Sequence, residues 1–180
     1  MTSWNPVALT RACTATTVPY GDRVTLDAGG LVEVVQRLGA SITVRTQIGS
    51  LLRIDGADAD AVGLDPVDVA HGTVDGPFQI EQVVDALQQI YDPEIPVSIV
   101  ELGLVYRCDE IVDDDGSRRI EIDMTMTAPG CGMGDVLRAD ALRAVHAIPG
   151  VDDVDVRIVF EPAWNIGRMS EAARLQLGLM

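Results

Sequence analysis

The chain contains no lysine: all 13 of its basic residues are arginines, and they are set against 28 acidic residues. Without lysine, the chain alone lacks the amine that a P-loop uses to reach nucleotide phosphates and the amine of a Schiff-base enzyme. The formal net charge of −15 also repels the phosphates of nucleic acids and of anionic membranes. These features argue against a P-loop ATPase, a pyridoxal-phosphate enzyme and a nucleic-acid-binding protein.

Cysteine is scarce, with only Cys13, Cys108 and Cys131. An odd number without a Cys-x-x-Cys pair argues against a disulfide framework, a self-contained zinc ribbon and a ferredoxin centre. The first residues lack the basic start and apolar run of a secretion signal, and no run reaches the roughly 18 apolar residues of a membrane span. We therefore expect a cytoplasmic protein that does not bind membranes.

The first part of the chain has the pattern of a small all-β domain, which we place at residues 1–72. Apolar and polar residues alternate between Arg23 and Ile54, with glycine turns between the runs, and this predicts short antiparallel strands. Asp58 and Asp60 follow in an acidic segment that lacks the spacing of a calcium-binding loop. A segment rich in proline and glycine comes next, and we predict a linker at residues 73–77.

The second part predicts an α+β domain at residues 78–162, followed by a helical tail at residues 163–180. Its predicted order is helix, strand, strand, helix, strand, which favours a two-layer α/β architecture with an antiparallel sheet. The predicted elements are a helix over Phe78–Tyr91, strands over Leu104–Val112 and Ile120–Thr127, a helix over Asp135–Ile148, a strand over Val151–Phe160 and a tail helix over Ser170–Leu177.

A glycine-rich loop around Cys131 is the main candidate site. It has the sequence Thr-Ala-Pro-Gly-Cys-Gly-Met-Gly and lies between a predicted strand and a predicted helix. Glycines permit a sharp turn, and a helix N-terminus carries partial positive charge that stabilises a thiolate. A thiolate binds metal or attacks an electrophile. The alternative is a buried structural cysteine.

A second candidate lies in the segment Asp92-Pro93-Glu94-Ile95-Pro96. Its two prolines stiffen the chain just after the first helix. Asp92 and Glu94 are therefore candidates for hard oxygen ligands or proton acceptors in a shared site. The alternative is a simple helix end with exposed acids.

These motifs together resemble the metal–sulfur cluster biosynthetic family, which includes SufT-like and PaaD-type proteins. The resemblance is carried by six motifs: Ile90 to Val97, Glu101 to Tyr106, Met124 to Cys131, Ile148 to Val151, Phe160 to Asn165 and Met169 to Gly178. The N-terminal β unit resembles an extra domain of SufT-like members. The resemblance implies a non-enzymatic accessory factor in the assembly or transfer of iron–sulfur clusters. It also implies site residues Asp92, Glu94, Thr127 and Cys131, with the assembly machinery and client apoproteins as partners.

One loop cysteine cannot saturate a cluster that usually has four ligands. We therefore expect a homodimer in which each chain supplies Cys131 to a transiently held iron ion or iron–sulfur cluster. Cys13 is the candidate second ligand, because it lies outside the predicted strands, and the alternative is a passive thiol. Cys108 lies within a predicted strand and is interpreted as structural. A metal-free adapter that recruits partner proteins remains the alternative function.

Overall fold

The computed structural model describes residues 4–67 and 77–179. The chain divides into two compact units, Met1–Val69 and Ala70–Met180. The predicted linker, apart from Pro77, lies outside the described residues. Within residues 4–67 and 77–179, no helix combines the length and the apolar character needed to cross a membrane.

The described elements of the N-terminal unit are β1 (Val7–Ala8), β2 (Cys13–Val18), β3 (Arg23–Leu26), β4 (Leu31–Leu38), β5 (Ser41–Thr46), β6 (Leu51–Asp55) and a 3-10 helix over Gly56–Val62. The six strands form one antiparallel sheet with the order β1-β4-β5-β6-β2-β3.

The N-terminal unit has its own apolar core. Inward-facing residues of the central strands, among them Ile42, Val44 and Ile54, are fully buried. The acidic segment after the sheet has a structural role, because Arg11 forms ion pairs with Asp58 at 2.8 Å and with Asp60 at 2.5 Å. The mixed composition of strands and a few helices that the sequence predicts is confirmed.

In its described residues, 77–179, the C-terminal unit combines three strands with three α-helices. The elements are α1 (Ile80–Gln88), β7 (Val105–Val112), β8 (Arg118–Met124), α2 (Gly134–His146), β9 (Asp153–Ile158), a 3-10 turn over Ile166–Arg168 and α3 (Glu171–Gln176). Helix α2 packs on β9 and on α1. One face of the sheet is apolar and buried, as Ile120, Ile122 and Val156 show. The other face carries charged residues that include Glu121 and Asp123.

The prediction of a purely antiparallel sheet was wrong for this unit. The strand order is β7-β8-β9, and β7 pairs with β8 in antiparallel fashion, but β9 lies parallel to β8. The reason is the connection through α2. This helix runs back along the sheet and returns the chain to the end at which β8 begins. There Asp153 pairs with Arg119, so that β9 runs in the same direction as β8. The loop between β8 and α2 therefore lies at the carboxyl end of the central strand.

Candidate functional site

The loop that carries Cys131 connects the end of β8 to the start of α2. Buried methionines anchor both of its ends, since Met126 and Met133 are almost completely inaccessible. Between them, Ala128 to Gly130 are exposed, while Thr127 and Cys131 are partly exposed. Gly130 has φ +80°, a conformation that side chains with a Cβ rarely adopt. Cys131 therefore lies in a partly exposed loop and not in the buried core.

Helix α2 begins directly after this loop without a side-chain cap. The N–H of Gly134 donates to the carbonyl of Cys131 at 3.2 Å, and no side chain caps the first turn of the helix. The remaining N–H groups of that turn give this end of the helix its partial positive charge. The loop thus has the strand–loop–helix arrangement that the sequence predicts.

Asp92 forms a turn rather than an open carboxylate site. The residue is only 5% exposed, and its Oδ1 accepts hydrogen bonds from the N–H of Glu94 at 2.8 Å and of Ile95 at 3.0 Å. The backbone closes the same turn, because the N–H of Asp92 donates to Val97. Burial raises the pKa of Asp92, and the two N–H donors oppose this rise. Glu94, in contrast, is exposed at the tip of the turn.

A single segment connects this turn with the Cys131 loop. The N–H of Ile99 donates to Ile90 just before the turn, and the N–H of Leu104 donates to Ile99, each at 2.9 Å. The N–H of Thr125, at the base of the loop, donates to Leu104 at 2.8 Å. A continuous chain of backbone hydrogen bonds therefore connects the two predicted site segments.

The four predicted site residues do not form a single ligand cluster. Thr127 and Cys131 share one loop, whereas Asp92 and Glu94 lie in the separate turn. Within residues 4–67 and 77–179, no group of three His, Cys, Asp or Glu side chains is arranged to hold a metal ion.

Comparison with known proteins decides the family. A family model described as iron-sulfur cluster assembly protein matches residues 80–158. An Fe-S protein maturation auxiliary factor of Porphyromonas gingivalis is 42% identical over 100 residues, which cover 91% of that protein and 56% of this chain. The chain belongs to the iron–sulfur cluster assembly protein family.

Two further members of the iron–sulfur cluster assembly protein family show similar coverage. The factor YitW of Bacillus subtilis is 39% identical over 99 residues, covering 93% of that protein and 55% of this chain. The factor SufT of Staphylococcus aureus is 39% identical over 90 residues, covering 98% of that protein and 50% of this chain. The predicted SufT-like resemblance is confirmed. These short relatives leave no room for a second unit like the N-terminal one, so they do not support its assignment as a domain that SufT-like members share.

The other two cysteines of this family member lie in packed strands. Cys13 is the first residue of β2, is 6% exposed and belongs to the core of the N-terminal unit. The prediction that it lies outside the strands on a freely reaching segment was therefore wrong. Cys108 lies opposite the buried Ile122 on the edge strand β7 and is itself partly exposed. Burial raises the pKa of both the Cys13 and Cys108 thiols.

These environments predict selective alkylation of one thiol. With iodoacetamide at neutral pH, we expect Cys131 to be modified first, at least about tenfold faster than the other two cysteines, because a thiolate is the reactive form and burial disfavours it. Peptide mass spectrometry on the folded protein measures the three rates. Denatured protein is the control, since the difference should then disappear, and preferential labelling of Cys13 in the folded chain would contradict the structure.

Sequence reasoning missed Thr125, which lies at the base of the Cys131 loop in this family member. Its hydroxyl is buried, and no hydrogen-bond partner for it is found among the described residues. The alternating run Met-Thr-Met-Thr was the available signal, because it places Thr125 on the face opposite the buried Met124 and Met126. The role of Ser170 was also missed: its hydroxyl donates to Glu101 at 2.9 Å.

Proposed function

We propose that this chain is a non-enzymatic accessory factor in the maturation of iron–sulfur proteins and that Cys131 binds iron or an iron–sulfur cluster as cargo. The observation that carries the proposal is the position of Cys131, which is partly exposed in a glycine loop at the start of a helix. Family membership and the names of the relatives, Fe-S protein maturation auxiliary factors, support it. The cytoplasm suits such a role, because thiols remain reduced there.

The shortage of ligands is consistent with a carrier rather than a storage site. Iron–sulfur clusters usually have four ligands, and the loop of one chain contains a single cysteine, Cys131. The remaining positions would be filled by Cys131 of a second chain, by an external thiol or by a client apoprotein. Incomplete coordination by this chain leaves positions at which an acceptor protein can attack and take the cargo.

The other predicted residues would then have different tasks. Glu94 is exposed at the tip of its turn, so we assign its carboxylate to contact with the cargo or with a partner protein. Thr127 lies in the same loop as Cys131, and its hydroxyl is a candidate hydrogen-bond donor to a bound sulfide. Asp92 is already engaged with backbone N–H groups, and we assign it to the turn instead. Cys13 lies within the N-terminal core, so we do not propose it as a ligand.

Anaerobic reconstitution tests the proposal directly. The wild type, Cys131→Ala and Cys108→Ala are incubated with iron and sulfide, desalted and analysed by visible absorbance and by iron and sulfide counts. We expect Cys131→Ala to lose the bound iron and the absorbance, and Cys108→Ala, the matched control, to retain both. Full absorbance in Cys131→Ala would contradict the assignment. Sedimentation with and without iron tests whether loading produces a homodimer.

A metal-free adapter is the second candidate function. The observation in its favour is that the described residues contain no arrangement of three metal-binding side chains. Such an adapter would recruit the assembly machinery or client apoproteins without holding the cargo. Iron and sulfide contents near zero after anaerobic purification, together with retained binding of a client apoprotein, would favour it over the carrier.

A further inference from the structure

The last part of the chain forms a strap, which we define as residues 161–177. All of it lies beyond residues 80–158, the region that the family model matches. Three side-chain contacts attach the strap to the segment that runs from Pro96, at the end of the Asp92 turn, to Leu104, just before β7. Trp164 donates from Nε1 to the carbonyl of Leu102 at 2.8 Å. The hydroxyl of Ser170 donates to Glu101 at 2.9 Å, and Gln176 donates from Nε2 to the carbonyl of Pro96 at 3.0 Å.

The strap also packs closely against this segment. At Gly103, which has φ +68°, an added Cβ would lie only 2.2 Å from the carbonyl oxygen of Arg168. The guanidinium of Arg168 stacks on the ring of Tyr106 at 4.1 Å, and the Tyr106 hydroxyl donates to the carbonyl of Pro162. The strap is therefore a fitted element with contacts along its whole length, rather than a loosely attached end.

The segment under the strap is the same one that connects the two halves of the candidate site. Its first part closes the Asp92 turn through Val97, and its last residue, Leu104, accepts a hydrogen bond from Thr125 at the base of the Cys131 loop. A shift of this segment would therefore change the position of Glu94 relative to Cys131. Contacts between the strap and this segment therefore affect both the Asp92 turn and the Cys131 loop.

We propose that the strap fixes the placement of Glu94 relative to Cys131, with Trp164 and Ser170 as its positioning residues. The effect of the strap on cargo rests on the proposed function, whereas its effect on the backbone of the Asp92 turn and the Cys131 loop, the structural part, does not. Ser170 is suited to the task because its hydroxyl accepts a hydrogen bond from Ala173 at the start of α3 and donates to Glu101. Glu101 thereby connects the beginning of α3 to the segment that carries the turn.

Hydrogen exchange tests the structural part. The variants are Trp164→Phe, which keeps an aromatic ring but loses the Nε1 donor, and Glu101→Ala. Glu101→Gln is the matched control, because it keeps an acceptor for Ser170. We expect the amides of Asp92, Leu102 and Leu104 to exchange about fivefold faster in Trp164→Phe and in Glu101→Ala, the factor that loss of one hydrogen bond implies. Amides of the N-terminal unit should not change. Acceleration confined to the strap itself would overturn the inference.

Loss of iron to a chelator tests the link to the site. We expect Glu101→Ala, but not Glu101→Gln, to release iron about fivefold faster, in line with the exchange result. Since the strap is proposed to act through Glu94, this difference should disappear when Glu94→Gln is present. Equal acceleration in both backgrounds would overturn the inference. A wild type that binds no iron would overturn the proposed function alone, because the exchange experiment still decides the structural part.

Discussion

Replacement of Gly103 with alanine is expected to destabilise the C-terminal unit by about 3 kcal/mol, the combined cost of a positive φ and of an overpacked contact. The new Cβ would meet the backbone of Arg168 at 2.2 Å from its oxygen and 2.7 Å from its carbonyl carbon. Backbone atoms cannot rotate away as a flexible side chain can, so either the strap or the segment must move. Urea unfolding monitored by circular dichroism measures the loss.

Gly116→Ala is the matched control for this prediction. Gly116 also has a positive φ, +85°, but nothing lies within 4 Å of the position of its Cβ. Alanine there carries only the conformational strain, which is about 1 kcal/mol. The difference between the two variants therefore isolates the contact between Gly103 and the strap. Equal destabilisation of the two variants would show that this contact is absent in solution.

The Cys131 loop was predictable because local signals agree there. A run of alternating residues ends, three glycines fall within five positions, and an amphipathic helix follows. Each signal depends only on neighbouring residues. The resulting strand–loop–helix arrangement is the one observed, with α2 starting at Gly134. In the same way, Ser170 was predictable as the start of the tail helix, where it caps α3.

The direction of β9 could not be predicted in this way. Alternation identifies a strand and its buried face but says nothing about which neighbour it pairs with. The pairing of β9 with β8 depends on where α2 delivers the chain, which is a property of tertiary packing. The contacts of the strap have the same origin, since Trp164 and Leu102 are 62 residues apart in sequence.

Cys13 and Asp92 show how short segments mislead. The strand that begins at Cys13 has the sequence Cys-Thr-Ala-Thr-Thr-Val. Its buried positions are held by small residues between threonines, so the sequence marks its apolar face only weakly. At Asp92, the same letters suit either a ligand or a turn former, because Asp before a tight bend commonly accepts N–H groups from the residues that follow. Only the hydrogen bonds to Glu94 and Ile95 distinguish the two interpretations.

The Asp92 turn leads to the second large expected effect. Asp92→Ala removes the acceptor of two backbone N–H groups in a buried turn, and we expect a loss of about 1–3 kcal/mol in the free energy of unfolding. Asp92→Asn retains an oxygen at the same position and should preserve the turn.

Because burial raises the pKa of Asp92 in the folded state, its charged form opposes folding. Stability contributed by this group therefore falls as pH rises through the unfolded pKa, about 3.9, towards the raised folded value.

Asparagine does not titrate, so this pH dependence should be missing in Asp92→Asn. Relative to the wild type, the variant should gain stability as the pH rises from about 3 to about 7. This range spans ordinary and raised carboxyl pKa values. Urea unfolding across this range, on wild type, Asp92→Asn and Asp92→Ala, measures both effects. If Asp92→Asn unfolds as readily as Asp92→Ala, the carboxylate charge itself is required and Asp92 is more than a turn former. If it is stable but loses iron while Glu94→Gln does not, the roles assigned to the two acids must be exchanged.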